Sequence, residues 1–373
     1  MEAQIKSAVE HFEKLLREQL KRAESLNENG AKDYKNAKQI TIGLIDGDGI
    51  GPVIMKEAKK VINHLLKEEI ESGKIIIKVI EGLTIENRLA KGQAVPSDTL
   101  AEIKTCDVLL KGPTTTPKGT TMESANVALR RELDLYANIR PVTIKEENID
   151  WIFFRENTEG EYTLGSKGIE IENTLAVDFK VTTDKGTKRI AKAAFEYAKA
   201  NNKDNVIIVT KANIMKKTDG KFSALCHEVA KDYPDIKVDE YYIDIMSANL
   251  LNKDIRSNFS VFVLPNLYGD IITDEAAQIQ GGVGTAGSAN TGDNYAMFEA
   301  IHGSAPRLVE DGLAEYANPQ SILKALSMLL IHIGLNEKAT ILETALSKCI
   351  NAPNPTEKNI TASDYCDNLI KTL

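Results

Sequence analysis

The chain has 373 residues, 42% hydrophobic and 27% charged, enough for one large or two ordinary domains with a substantial core. Its formal net charge of −8 excludes a broad basic surface for nucleic acid, so any site for a small polyanion must be built from a local cluster of cations. No apolar run approaches the roughly 20 residues of a membrane-spanning helix. Cys106, Cys226, Cys349 and Cys366 are scattered, with no CxxC pair and no metal spacing, and read as inert thiols in a reducing compartment. The N-terminus lacks the apolar centre of a signal peptide and is too rich in Glu for a mitochondrial presequence. A cytoplasmic protein with no membrane or nucleic-acid partner is expected.

In chain order, residues 2–27 come first as an amphipathic helix, with Ile5, Val9, Phe12, Leu16 and Leu20 at steps of three and four. These residues are expected to form the packing stripe of an otherwise solvated helix, or of an appendage on the body or a partner subunit. A polar stretch at 27–33 follows. The run 40–45 reads as a strand ending in DGDGIGP at 46–52, and a helix follows with Pro52 in its first turn. Strand-like runs recur at 75–80, 108–110, 151–155, 206–210, 238–243 and 261–264. Helix-like runs lie at 97–104, 187–200, 220–231, 269–279, 319–333 and 336–348. Alternation of this kind predicts an α/β architecture with a largely parallel sheet. No repeat or linker is visible, which points to domains interleaved along the chain.

Six segments can carry chemistry. The glycines of GDGIG at 47–51, between strand and helix, allow either a tight structural turn or close backbone approach to a phosphate or ribose. KGPTTTPKG at 111–119 leads into SANVALR at 124–130 and YANIRP at 136–141. Ser124 there caps a helix or meets a carboxylate. Arg130 and Arg140 flank a buried-looking stretch, which suits bidentate carboxylate recognition. In FFRENTEGEY at 153–162, Arg155 closes an apolar strand as a third carboxylate clamp, and Tyr162 is either a packing residue or a proton donor. Lys211 follows the strand 206–210, where it is either a surface charge or, if partly desolvated, a group for proton transfer. In NLYGDIITD at 266–274, with a helix starting near Gly269, Asp270 and Asp274 share one face. Like charges so placed accommodate a hard cation such as Mg²⁺ or Mn²⁺; the competing role for Asp270 is that of a helix N-terminal acid. EAIHGSAP at 299–306 places His302 after an apolar strand, where it is a structural turn residue or faces an adenine and its ribose.

In this order the segments resemble the β-decarboxylating dehydrogenases acting on isocitrate, 3-isopropylmalate and homoisocitrate, from about Ile40 to the last helix. The resemblance implies a two-domain α/β fold that departs from the Rossmann pattern. An N-terminal helical extension would occupy 1–36, a large cofactor-side domain 37–135 and 281–373, and a small domain with a dimer clasp 136–280. It also implies an obligate homodimer with shared active sites. Residue by residue, Tyr162 and Lys211 look like the catalytic pair, with Lys211 entering from the neighbouring subunit. Ser124, Asn126, Arg130, Arg140 and Arg155 look like substrate contacts. Asp270 and Asp274 look like metal ligands of one chain, with Asp244 the ligand from the other. Lys111, Thr116, Asn126, His302, Gly303, Ser304, Ala305, Pro306, Arg307 and Asn318 look like cofactor contacts. The segment 124–130 resembles the isocitrate version, since a hydroxyl and an amide suit a third carboxylate and an apolar wall would suit an alkyl group. The family commonly has Glu after the proline of the first loop, where this chain has Val53. After Pro306 stands Arg307-Leu308, where NAD enzymes of the family often carry Asp-Ile and bacterial NADP enzymes Lys-Tyr; Arg307 suits a 2′-phosphate, but no Tyr and Arg in the C-terminal part complete an NADP pocket, and 309–315 lengthens the loop. NAD is expected over NADP. The expected activity is metal-assisted oxidative decarboxylation of isocitrate to 2-oxoglutarate. The alternatives are the NADP-dependent version, a homoisocitrate or related 2-hydroxy-3-carboxy acid dehydrogenase, and a non-catalytic regulatory subunit.

Overall fold

The computed structural model describes residues 2–26, 32–34, 36–117, 119, 122–282, 286–349 and 351–373. Most of the polar stretch after the first helix, 27–31, lies outside these, as does Lys118 in the Thr/Gly/Pro turn. The chain divides into two units, each built from separated stretches: one of 1–30 and 143–275, the other of 31–142 and 276–373. The α/β class read from the sequence is borne out.

The second unit contains β1 (Ile40–Ile45), α2 (Gly51–Leu65), α3 (Lys67–Glu71), β2 (Ile75–Val79), α4 (Ile85–Lys91), α5 (Ser97–Ile103), β3 (Val108–Lys111), α6 (Ala125–Glu132) and most of β4 (Ala137–Ile144). After the return of the chain it adds β11 (Gly287–Thr291), β12 (Ala296–Ala300), α11 (Pro306–Glu310), α12 (Gln320–His332), α13 (Asn336–Lys348) and α14 (Ala362–Ile370). Strands β2, β1, β3 and β12 run parallel, and β11 and β4 follow antiparallel. The strands and α2, α12, α13 and α14 enclose one apolar core that includes Ile42, Ile54, Val61, Phe298, Leu326 and Leu342. Burial on both faces explains why β1 and β3 read as unbroken apolar runs. Pro52 sits in the first turn of α2, as expected. Thr361 and Asp364 form a reciprocal capping box on α14.

The first unit contains α1 (Glu2–Ser25), β5 (Ile149–Glu156), β6 (Ile169–Ile171), β7 (Leu175–Val177), α7 (Asp184–Ala200), β8 (Asn205–Thr210), α8 (Thr218–Ala230), β9 (Lys237–Tyr242), α9 (Ile243–Leu251), β10 (Val261–Leu264) and most of α10 (Asn266–Gln280). Here β5, β10, β8 and β9 run parallel. Trp151, Phe153 and Phe262 make its aromatic centre, with Phe153 and Phe262 stacked at 4.4 Å and Trp151 edge-on to both. Strands β6 and β7 form a separate antiparallel ribbon.

Two expectations are corrected. The predicted stripe of α1 is not buried against the body of this chain: Ile5, Val9, Phe12, Leu16 and Leu20 are each 45–59% exposed, whereas Leu15 is 2% exposed. The helix docks on the face of His11, Leu15 and Arg22, about a third of a turn from the centre of its apolar stripe, and of that stripe the Phe12 ring meets Phe179. The helix carrying the paired aspartates begins at Asn266, not near Gly269, so Asp270 lies beyond the first turn and is not an N-terminal acid. Cys106, Cys226 and Cys366 are buried and Cys349 half-buried, all as free thiols, and burial pushes each thiol up.

Candidate functional site

In the second unit, β3 delivers Lys111 into the interior, where it is fully buried. Its ammonium lies 3.1 Å from Glu299 of β12 and donates to the Gly112 carbonyl at 2.8 Å. Arg130 of α6 reaches the other Glu299 oxygen at 3.2 Å, and Asn290 of β11 donates to the same oxygen at 2.8 Å. One buried carboxylate thus serves two cations. Burial alone would raise the Glu299 carboxyl, but Lys111 and Arg130 hold it down to about 2. Burial pulls the Lys111 ammonium down, against the raising pull of Glu299. The two directions agree physically: the shared anion compensates the cations only in part.

Above this triad lies a cavity of about 110 Å³, lined among others by Thr114, Asn126, Arg130, Arg140, Glu299 and His302. Five of the residues singled out from the sequence, Asn126, Arg130, Arg140, His302 and Gly303, therefore meet in one place. Asn126 is oriented by the Thr114 hydroxyl at 3.1 Å. Ser124 stands at the N-terminus of α6 but makes no capping hydrogen bond, so the capping role fails and the hydroxyl is available to a ligand. His302 Nδ1 donates to the Gly303 carbonyl at 3.0 Å. Its Nε2 is buried with no hydrogen bond among the described residues, and burial lowers its basicity. Lys111 does not line the cavity; Glu299, which the sequence reading passed over, does. The signal was present: an acid inside the apolar strand of β12 must meet cations if it is buried.

The glycine loop at 47–51 braces its neighbours. A Cβ at Gly47 would sit 2.2 Å from the Pro113 carbonyl oxygen, and one at Gly49 would sit 2.0 Å from that of Ser304. Asp48 accepts the backbone N–H groups of Ile85 and Thr115, both at 2.7 Å, and Thr115 shares a 2.7 Å hydroxyl contact with Ser304. Arg88, fully buried and also missed, donates to the Thr115 and Ala94 carbonyls. The structural turn is thus the reading that the loop supports; it fixes the Thr/Gly/Pro segment and the start of the His302–Pro306 loop. Thr116 is exposed in that segment. Arg307 is exposed on α11, after Ala305 in a left-handed conformation (φ 44°), and Asn318 accepts the Gln320 N–H at 2.9 Å ahead of α12.

In the first unit, Arg155 closes β5 fully buried, and its Nε and Nη2 donate to Asn266 Oδ1 at 3.0 and 2.7 Å. Its Nη1 pairs with Asp270, and the Tyr162 hydroxyl donates to the other Asp270 oxygen at 2.7 Å. Gly269 allows this approach, since a Cβ there would fall 2.5 Å from Arg155 Cγ. Gly269→Ala gains about 1 kcal/mol in helix propensity, but forcing the buried arginine stem aside costs about 1–3 kcal/mol. The clash is expected to win, and a denaturant midpoint below wild type checks it. Lys211, after β8, pairs with Asp244 of α9 at 2.5 Å, and this hydrogen bond holds the Asp244 carboxyl below its usual range.

Asp270 and Asp274 lie one turn apart on α10, and no group of three metal-type ligands occurs among the described residues. Their all-oxygen chemistry fits a hard divalent cation, for which they would supply at most these two side chains.

The isocitrate/isopropylmalate dehydrogenase family model matches residues 41–372. An NADP isocitrate dehydrogenase of Rickettsia bellii is 38% identical over 351 residues, covering 89% of this chain and 69% of that protein. The α subunit of the mitochondrial NAD isocitrate dehydrogenase of Macaca fascicularis is 36% identical over 343 residues, covering 89% and 94%. The crystal structure of isocitrate dehydrogenase from Methylococcus capsulatus superposes with a TM-score of 0.78 at 33% identity, covering 90% of this chain and 99% of that one. The chain belongs to the isocitrate/isopropylmalate dehydrogenase family. Its α1 helix precedes the matched region.

Proposed function

We propose that the chain oxidises and decarboxylates isocitrate to 2-oxoglutarate and CO₂, as a homodimer using NAD and Mg²⁺ or Mn²⁺. The observation that carries this is the cavity lined by Asn126, Arg130, Arg140 and His302. Two guanidinium groups and an amide at one small cavity, beside the short apolar lining of Pro113, Ala300 and Ile301, suit a polycarboxylate. When bound, the cation supplies Lewis acidity at the substrate's hydroxyl oxygen and the nicotinamide accepts the hydride. Asp270 and Asp274 would hold the cation with Asp244 of the partner subunit. Arg130, Arg140 and Arg155 bind and orient the carboxylates. Lys211 takes the proton of the 2-hydroxyl. After the β-carboxylate leaves as CO₂, Tyr162 returns a proton to the carbon it left. The test is a panel of isocitrate, homoisocitrate and 3-isopropylmalate at fixed Mn²⁺. A kcat/KM for isocitrate at least about tenfold above both others is expected; a preference for either of the others overturns the substrate assignment.

The choice of NAD rests on the loop after Gly303. Arg307 is its one cation before Ala317, against Glu310, Asp311 and Glu315. Such a loop disfavours a 2′-phosphate and suits a free ribose diol. A kcat/KM ratio of NAD to NADP above about ten is expected, and a ratio below one contradicts it.

A further inference from the structure

The α1 helix lies outside the matched family region, yet it is bonded to the loop that carries Tyr162. Arg22 Nη2 donates to Glu159 Oε1 at 3.0 Å. Glu159 is 3% exposed. Its carboxylate also accepts the Thr183 N–H at 2.8 Å and the Thr183 hydroxyl at 2.5 Å, which seats it at the N-terminus of the 17-residue helix α7. Gly186 makes room there, since a Cβ would come within 2.5 Å of the carboxylate. The Glu159 carbonyl in turn accepts Asn266 Nδ2 at 3.0 Å, and Asn266 Oδ1 is the acceptor for Arg155. Three further contacts fix the helix on the same region. His11 meets the Lys167 carbonyl at 2.9 Å, the Phe12 ring lies 5.3 Å from that of Phe179, and Lys185 of α7 donates to the Leu26 carbonyl at 3.1 Å.

Glu159 has a buried carboxylate neighbour, Glu156, which accepts the Thr158 and Glu159 N–H groups. Burial, with the nearby Glu159 charge adding to it, raises the Glu156 carboxyl to about 7. Two buried acids in one loop need cationic company. Arg189 is the nearby cation for Glu156 and also donates to the Thr158 hydroxyl at 3.1 Å. Arg22, supplied by the extension, is a cation paired with Glu159.

We infer that α1 acts as a strap on the catalytic loop, with Arg22 a positioning residue that fixes Glu159 and, through it, the loop bearing Tyr162 and the Asn266–Arg155 clamp. This rests on the proposed roles of Tyr162 and Arg155. In the full-length enzyme, Arg22→Gln should lower kcat with isocitrate about tenfold with KM within about twofold. Amide hydrogen exchange at 158–164 should speed up, while β1 of the other unit keeps its protection. Arg22→Lys should recover most of both. Glu13→Gln, which removes only an exposed ion pair with Arg17 on the same helix, should change neither. Wild-type kcat in Arg22→Gln, or unchanged exchange at 158–164, overturns the strap. If the wild-type chain fails to turn over isocitrate, the proposed function fails. The exchange comparison then decides on the strap by itself.

Discussion

Glu299→Gln is expected to be the most destabilising conservative change in the second unit. The substitution keeps shape and removes one charge, leaving Lys111 and Arg130 buried without their common anion. Breaking a buried ion pair from one side costs about 3–5 kcal/mol, because the remaining charge has no water to turn to. A melting temperature lower by about 10 °C is expected, read by calorimetry. The pH dependence carries a sign that can be checked. Glu299 has a folded-state value held down to about 2, so its stabilisation is complete above the unfolded carboxyl value and is lost as pH falls through about 2. Lys111 acts in the opposite sense: its lowered value means that charging it works against the fold at neutral pH. The wild-type advantage over Glu299→Gln should therefore be full at neutral pH and shrink steadily toward pH 2. An advantage that grew on acidification would show that the carboxylate is not held by the two cations.

Lys211→Met and Tyr162→Phe carry the largest expected effects on turnover. Each removes one proton-transfer group while the arginines that bind carboxylates stay in place, so kcat should fall about 10²–10⁴-fold with little change in KM. The two differ in their structural consequences. Lys211→Met leaves Asp244 without its 2.5 Å partner on a largely exposed helix start, where the loss to stability is small. Tyr162→Phe removes the 2.7 Å hydrogen bond to Asp270 and leaves the Arg155 pair intact, so a modest loss of metal affinity should accompany the loss of rate. Turnover near wild type in both variants would show that neither residue moves a proton in the rate-limiting sequence.

The sequence reveals those parts whose physics is local. The runs at 206–210 and 261–264 are buried on both faces and read as apolar strands, as β8 and β10 are. The family resemblance put Asn126, Arg130 and Arg140 together as substrate contacts and read His302 on the cofactor side, whereas all four line one cavity. Three features were hidden. β11, Gly287–Thr291, is made of small and polar residues, because Gly287 packs against the Ala325 backbone and Asn290 bonds Glu299. No alternation of apolar residues marks such a strand. The docking face of α1 was hidden because periodicity finds the apolar stripe, of which Phe12 meets Phe179, while the helix is otherwise held by Arg22, His11 and Leu15. The role of Glu299 was hidden because its partners lie 169 and 188 residues earlier in the chain.

The most direct measurement is product stoichiometry from the purified full-length chain with isocitrate, Mg²⁺ and NAD. The proposed function predicts one 2-oxoglutarate, one CO₂ and one reduced cofactor per isocitrate consumed, abolished by a chelator and restored by Mg²⁺ or Mn²⁺. Absence of 2-oxoglutarate with either nicotinamide cofactor, or turnover indifferent to the chelator, would contradict it.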